Sequence, residues 1–407
     1  MRHRSKFINQ PNQSGEKPLK LASVADRLSR LGSAKWAVHI EGKQRAAKGE
    51  RLIFLSIGEP DLPPPPAVLE YAREQIKPEN MHYSAARGEA ILLQNLARFY
   101  TRQTGRTISP RQFLYVPGTQ TALYLAFQSI LDPGDEVLLL DPYYATYEAV
   151  VTSPGGVPVA VPLDPERGFH IDFAALQKAV TPQCRAILLN SPSNPTGAVF
   201  TRDEIIAVGK FARQHDLWIV SDEVYASQVH GNNVFTSPFF FQDLEERTIV
   251  VSSISKSHAV PGFRSGWIAA SENFCEHVVA ISESMLFNSQ AFLENTLAFA
   301  LDHEFAETKA AQLAYVERAK ALIAGISGSK LQARMPEGGM FVMLDVRATG
   351  LSGNDFARRL LAEHDVVTMP GESFGLQGAG HLRVALTVDE QQLTEAARRM
   401  VKLANSV

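Results

Sequence analysis

TIVVSSISKSHAVPGFRSGWIAA, residues 248–270, holds two apolar runs on either side of a small, polar, turn-rich stretch. TIVVSS (248–253) and WIAA (267–270) have the β-branched and aromatic content of buried strands. Between them stands one lysine, Lys256, with Ser253 three residues before it, Arg264 eight after it, and Pro261-Gly262 bending the chain. A lysine directly beyond an apolar strand and between serines has little structural reason to be there, because lysine is seldom buried without a partner.

The same pattern repeats upstream. RAILLN (185–190) runs into SPSNPTG, and WIVSD (218–222) runs into EVYA. QFLYV (112–116), EVLLLD (136–141) and VPVAV (157–161) are further candidate strands, and helical patterns at Thr121–Leu131, Phe173–Val180 and Asp203–His215 fill gaps between them. This alternation predicts an α/β fold with an open, mainly parallel, doubly wound sheet covered on both faces. A helical stretch over about 290–325 follows. Strand candidates MFVMLDV (340–346), VVTM (366–369) and HLRVAL (381–386), with helices at 354–364 and 389–405, predict a smaller α+β domain. At the other end, one helix is expected over Ser23–Ala47, and LIFLSIGEPD reads as a short strand running into a loop. The expected division is a flexible arm over 1–18, a helix and strand over 19–60 packing with the small domain, a large domain over 61–300, and a small C-terminal domain with its linking helix over 301–407.

The 407 residues suffice for two domains. Hydrophobic content of 45% and charged content of 20% are ordinary for a globular protein, and a net charge of −3 gives no pull toward nucleic acid. No apolar run approaches the ~20 residues of a membrane helix, and the basic N-terminus lacks the apolar core of a signal peptide. The two cysteines, Cys184 and Cys275, form no CxxC or Cys/His cluster. No metal site is expected, and a reducing, cytoplasmic setting is.

Three strands therefore deliver polar residues at their carboxyl ends: Asn194, then Asp222 and Tyr225, then Ser253, Ser255 and Lys256. Ligands of doubly wound sheets bind beyond those ends, so these residues fall along one crevice. VPGTQTALYLAF (116–127) adds a strand, a glycine turn and a helix start, where Thr119, Gln120 and Thr121 offer N–H groups and side-chain donors to an anion. Alone, GTQT reads as readily as an ordinary helix cap. A lysine able to form a Schiff base, a carboxylate for a ring nitrogen, and a phosphate cup completed by Ser253 and Arg264 together point to pyridoxal 5′-phosphate, with Lys256 as its covalent partner.

The chain resembles the class I aminotransferases of fold type I over about residues 20–405. The matching segments are IGEPD (57–61), HYSAARG (82–88), GTQTAL (118–123), DPYYATY (141–147), NSPSNPTG (190–197), SDEVYA (221–226), SISKSHAVPGFRSGW (253–267), GGMF (338–341), PGESFG (370–375) and HLRVAL (381–386). The resemblance implies that Lys256 is the Schiff-base lysine and general base, and that Asp222 pairs with the pyridinium nitrogen. It places Tyr225 and Asn194 on the ring O3′, Tyr144 over the ring face, and Thr119, Gln120, Ser253 and Arg264 around the phosphate. Arg383 would clamp the substrate α-carboxylate, with Gly58 on the loop that closes over it. Tyr83 would reach the phosphate of a neighbouring subunit, which implies a homodimer. The implied reaction moves an amino group from an amino-acid donor to a 2-keto acid by ping-pong kinetics.

Other readings stand beside these. On the residues alone, Arg383 reads as an outward-facing strand arginine, Tyr144 as core, His82 and His258 as structural, and Glu59 and Asp61 as turn residues. Aspartate or aromatic aminotransferases, C–S β-lyases and non-catalytic ligand-binding domains share the scaffold. The motif variants HYSAARG, YATYEAV, SKSHA and GGMFVMLDVRATGLS look most like arginine–pyruvate aminotransferases, which favours arginine or another basic or neutral donor, with pyruvate or 2-oxoglutarate as acceptor. A guanidinium side chain wants an acidic partner, for which Glu41 and Glu59 are candidates. Ser265 stands where an apolar residue is expected.

Overall fold

The computed structural model describes residues 19–32 and 34–407, so the expected arm over 1–18 lies outside the described residues. The first strand, β1 (Ile53–Phe54), is followed by seven that form one sheet: β2 (Phe113–Val116), β3 (Glu136–Asp141), β4 (Val157–Pro162), β5 (Cys184–Asn190), β6 (Trp218–Asp222), β7 (Thr248–Ser253) and β8 (Gly266–Ala269). Their spatial order is β2-β8-β7-β6-β5-β3-β4, parallel except for β8, which runs antiparallel to both neighbours. The expected mainly parallel sheet is therefore present, and the seven strand segments read from the sequence coincide with it to within a residue or so at each end.

The apolar runs are continuous because both faces are covered. In β5, Ala186 and Leu188 enter the core under helices Thr119–Ile130 and Glu272–Leu286. Ile187 and Leu189 enter the opposite core under helices Phe173–Ala179 and Arg202–Gln214. This is the period-2 alternation of a strand with apolar partners on both sides.

The remaining strands are β9 (Gln332–Ala333), β10 (Phe341–Asp345), β11 (Val366–Val367), β12 (Met369–Pro370) and β13 (His381–Ala385). An antiparallel sheet has the order β12-β13-β10-β9, while β1 pairs in parallel with β11. Ile53 and Leu55 join the same core as Phe341, Leu322, Val384, Leu393 and Met400, so the N-terminal strand packs with the C-terminal part of the chain.

Three expectations need correction. The helix expected over Ser23–Ala47 is two, Ser23–Gly32 and Ala37–Ala46. It stops at glycine, a poor interior helix residue, and Trp36 then packs by Ala145, Met369 and Phe374. The helical stretch over 290–325 is Ala291–Asp302 and Ala306–Ile326, interrupted where Phe305 is extended and packs into a core. VVTM is not one strand: Val366–Val367 pairs with β1 and Met369–Pro370 with β13. Pro370, lacking an N–H, cannot prolong the ladder.

Candidate active site

At the carboxyl edge of the large sheet, the β5–β6 and β6–β7 registers set Asn190 beside Asp222 and Asp222 beside Val251. A cavity of about 330 Å³ opens there, against β13 of the smaller sheet. The candidate residues other than Tyr83, Thr121 and Glu41 line it, among them Gly58, Thr119, Gln120, Tyr144, Asn194, Asp222, Tyr225, Ser253, Lys256, Arg264 and Arg383. A larger cavity, about 700 Å³, opens around Phe99, Phe235 and Phe305. It contains neither Lys256, Asp222 nor Arg383, so chemistry rather than volume selects the site.

Lys256 Nζ donates to the Gly58 carbonyl at 2.7 Å. Burial holds its ammonium pKa down at about 8; Glu59 opposes this, and Arg383 and Arg264 add to it. A neutral amine is thus accessible near neutral pH. Gly58 is needed because a Cβ there would run into the Phe341 ring.

Asp222 is 4% exposed. It accepts from Tyr147 Oη at 2.8 Å and from the Val224 N–H at 3.2 Å, and Asn190 Nδ2 donates to its backbone carbonyl at 3.0 Å. Burial raises its carboxyl pKa to about 6 against those hydrogen bonds, so a cation placed in the cavity would favour the ionised form.

One end of the cavity is built for an anion. Helix Thr119–Ile130 begins at Gly118, which has φ +88° and no capping side chain, so the first N–H groups stay open. Among the described residues, Thr119 Oγ1 is buried without a hydrogen-bond partner. Arg264 crosses over Gly118, where an added Cβ would sit 2.5 Å from its Nη2. Thr121 is not part of this end; its hydroxyl donates to the Pro117 carbonyl at 3.1 Å. Gln120 Oε1 accepts from Thr146 Oγ1 at 3.0 Å.

Arg383 lies at the other end. It is 2% exposed, which overturns the outward-facing reading. Its guanidinium carbon lies 4.4 Å from the Phe341 ring centre and 4.6 Å from that of Phe374. Nη1 donates to Asn194 Oδ1 at 2.9 Å, Nη2 donates to the Ser56 carbonyl, and Nε has no partner among the described residues. Among the described residues no carboxylate pairs with it, and burial lowers its pKa to about 10.

These features coincide with a family match. The model for aminotransferase class I and II matches residues 50–400. The chain belongs to this family.

The aminotransferase is 36% identical to an arginine–pyruvate transaminase of Pseudomonas aeruginosa, over 95% of this chain and 98% of that one. It is 31% identical to an aspartate/prephenate aminotransferase of Thermus thermophilus, over 91% and 96%. The aspartate aminotransferase of Thermus thermophilus with maleate superposes with a TM-score of 0.89 at 30% identity, covering 95% of this chain and all of that one. The sheet is thus that of fold type I, and the protein is a pyridoxal 5′-phosphate-dependent transaminase. The cavity fits that cofactor: an open helix N-terminus with an unpartnered hydroxyl suits a phosphate, Asp222 suits a ring N–H, and Lys256 suits an aldehyde.

Two neighbours of the aminotransferase site were not singled out from the sequence. Tyr147 and Asn190 both hold Asp222. The only signal was position, since Tyr147 falls three residues after Tyr144 in the same DPYYATY segment, at the start of helix Tyr147–Thr152. His82 is exposed and bonds the Glu79 carbonyl, while burial pushes His258 down to about 4, as structural histidines. Asp61 is more than a turn residue: both its oxygens take the fork of Arg318 at 2.8 Å. Ser265, in place of an apolar residue, bonds Tyr115 Oη at 3.1 Å. Tyr83 is 76% exposed and stacks edge-on with Phe287.

Proposed function

We propose that this aminotransferase takes its amino group from L-arginine, or a similar basic or neutral amino acid, and passes it to pyruvate or 2-oxoglutarate. The observation that carries the amino-acid reading is Arg383. A buried guanidinium without a counter-ion is costly, and a donor's α-carboxylate would relieve that cost as the fork's bidentate partner.

Thr119, Gln120, Ser253 and Arg264 hold the cofactor phosphate, joined by Tyr83 of a second copy in a homodimer. Tyr144 covers the ring face. Tyr225 and Asn194 bind the ring O3′, and Asn194 also braces Arg383. Asp222, oriented by Tyr147, keeps a proton on the ring nitrogen. Pyridoxal 5′-phosphate supplies, when bound, a sink for the electron pair left at Cα. Lys256 Nζ, as a neutral amine, takes the proton from the donor Cα. Gly58 and its loop cover the donor and exclude water. The free, buried Cys184 and Cys275 favour a cytoplasmic setting.

The donor reading is supported by the arginine–pyruvate relative. It is tested by kcat/KM across a panel of amino acids with pyruvate as acceptor. Arginine leading the panel, with parallel double-reciprocal lines, is the expected result. Glutamate or aspartate leading by a wide margin overturns it.

A further inference from the structure

Resting on the reading of Arg383 as the fork for a substrate α-carboxylate, we infer that His170 is a positioning residue for that fork. It acts through Glu337 on two supports of the guanidinium, and so on the binding of amino-acid donor and keto acid alike.

His170 stands between two carboxylates. Its Nδ1 lies 3.0 Å from Glu204 Oε2, in the first turn of helix Arg202–Gln214. Its Nε2 lies 3.2 Å from Glu337 Oε1, in the segment that leads into β10. An imidazolium, which donates from both ring nitrogens, suits such a place. Hydrogen bonds to Glu204 and then Glu337 raise the His170 pKa to about 10, so the ring keeps its charge at neutral pH.

The other oxygen of Glu337 accepts from the Val199 N–H at 2.8 Å. The Glu337 and Gly338 N–H groups both donate to the Gly197 carbonyl, at 3.0 and 2.9 Å. The turn before β10 is thus fastened, by side chain and backbone, to the loop that follows β5. Both fastened pieces reach Arg383. The loop carries Asn194, whose Oδ1 accepts from Arg383 Nη1 at 2.9 Å. The turn runs on into Phe341, whose ring centre lies 4.4 Å from the guanidinium carbon.

A cavity of about 380 Å³ opens beside the His170–Glu337 pair, so close packing does not hold the turn on this side. Two further ion pairs at this cavity, Arg347–Glu166 and Arg334–Glu166, are exposed on both partners and contribute little. Without His170, Glu204 and Glu337 act on each other as like charges, which drives Glu337 from its place. His170, Glu204 and Glu337 lie outside every segment that carries the family resemblance, so the resemblance assigns them no role.

Steady-state kinetics of the holoenzyme test this. His170→Ala is expected to raise KM for the amino-acid donor and for the keto acid by the same factor, about 2- to 30-fold, the range for residues that act on a site without touching its ligand. kcat and retention of pyridoxal 5′-phosphate are expected to change far less. Glu337→Gln keeps an acceptor for the Val199 N–H but loses the ionic pair. It is expected to shift both KM values the same way by a smaller factor, since no like charge then faces Glu204, and it carries the test alone should His170→Ala not fold. The double variant is expected to be no worse than His170→Ala, because one pair transmits both effects. Unchanged KM values in the single variants, or a loss confined to kcat, overturn the inference. So does a double variant whose KM shift is the product of the two single shifts. Arg383→Lys identifies which step has failed: if it too leaves both KM values unchanged, the α-carboxylate reading falls, and if it raises them while His170→Ala does not, the role of His170 alone falls.

Discussion

Arg383 is a buried cation that the folded chain surrounds with two aromatic rings, an amide oxygen and a carbonyl, and with no carboxylate among the described residues. A lysine would keep the charge but lose the planar fork. Arg383→Lys is therefore expected to lower kcat/KM for every donor about 10- to 100-fold, mostly through KM, in steady-state kinetics. Lys256 makes a different prediction, about stability in the cofactor-free protein. Its pKa falls from 10.5 to about 8 on folding, so between those values the unfolded chain carries the proton and the folded one does not. Stability from this group then rises with pH across that window, as the penalty for the buried ammonium is relieved. Thermal unfolding of apo wild type measured against Lys256→Ala is expected to show wild type gaining on the variant from about pH 8 to 10.5. Lys256 was legible in the sequence because a polar turn after an apolar strand exposes an out-of-place lysine. Arg383 was ambiguous because a strand alternates faces, and which face is buried depends on β10, β12 and Phe374 elsewhere in the chain. Tyr147 was hidden because its neighbour Asp222 lies far along the sequence.

At the scale of elements, the site consists of strand carboxyl ends and one helix N-terminus. The strands were legible because burial on both faces leaves an apolar run bounded by polar residues. The helix breaks at Gly32 and near Phe305 were not, because each depends on where a distant core takes in a side chain. Gly118 connects the local and distant constraints. Its φ of +88° is a conformation that glycine alone adopts cheaply, and Arg264 occupies the space a Cβ would need. Gly118→Ala is expected to cost about 1–3 kcal/mol in denaturant unfolding. By displacing Arg264 it should also weaken retention of pyridoxal 5′-phosphate on dialysis. Unaltered stability and retention would contradict this account of the turn.

At the scale of the molecule, the cavity needs both sheets. Asp222, Ser253 and Lys256 come from the edge of the large sheet or just beyond it, and Arg383 from β13 of the smaller one. On the proposed roles, neither sheet alone would hold both a cofactor and a donor. The Asp61–Arg318 fork ties the loop that carries Gly58 and Glu59 to helix Ala306–Ile326. Tyr83, exposed on one chain, is expected to complete the phosphate site of a second. Tyr83→Phe should therefore weaken cofactor retention while leaving the unfolding midpoint of the apo protein nearly unchanged; full retention would remove the contact. The most direct test of the whole account is the absorbance spectrum of purified enzyme supplied with pyridoxal 5′-phosphate, before and after arginine is added without a keto acid. The account predicts a band from the lysine-bound cofactor that is missing in Lys256→Ala and that converts with arginine to the amine form of the cofactor. A wild-type spectrum without that band, or the same band in Lys256→Ala, would contradict it.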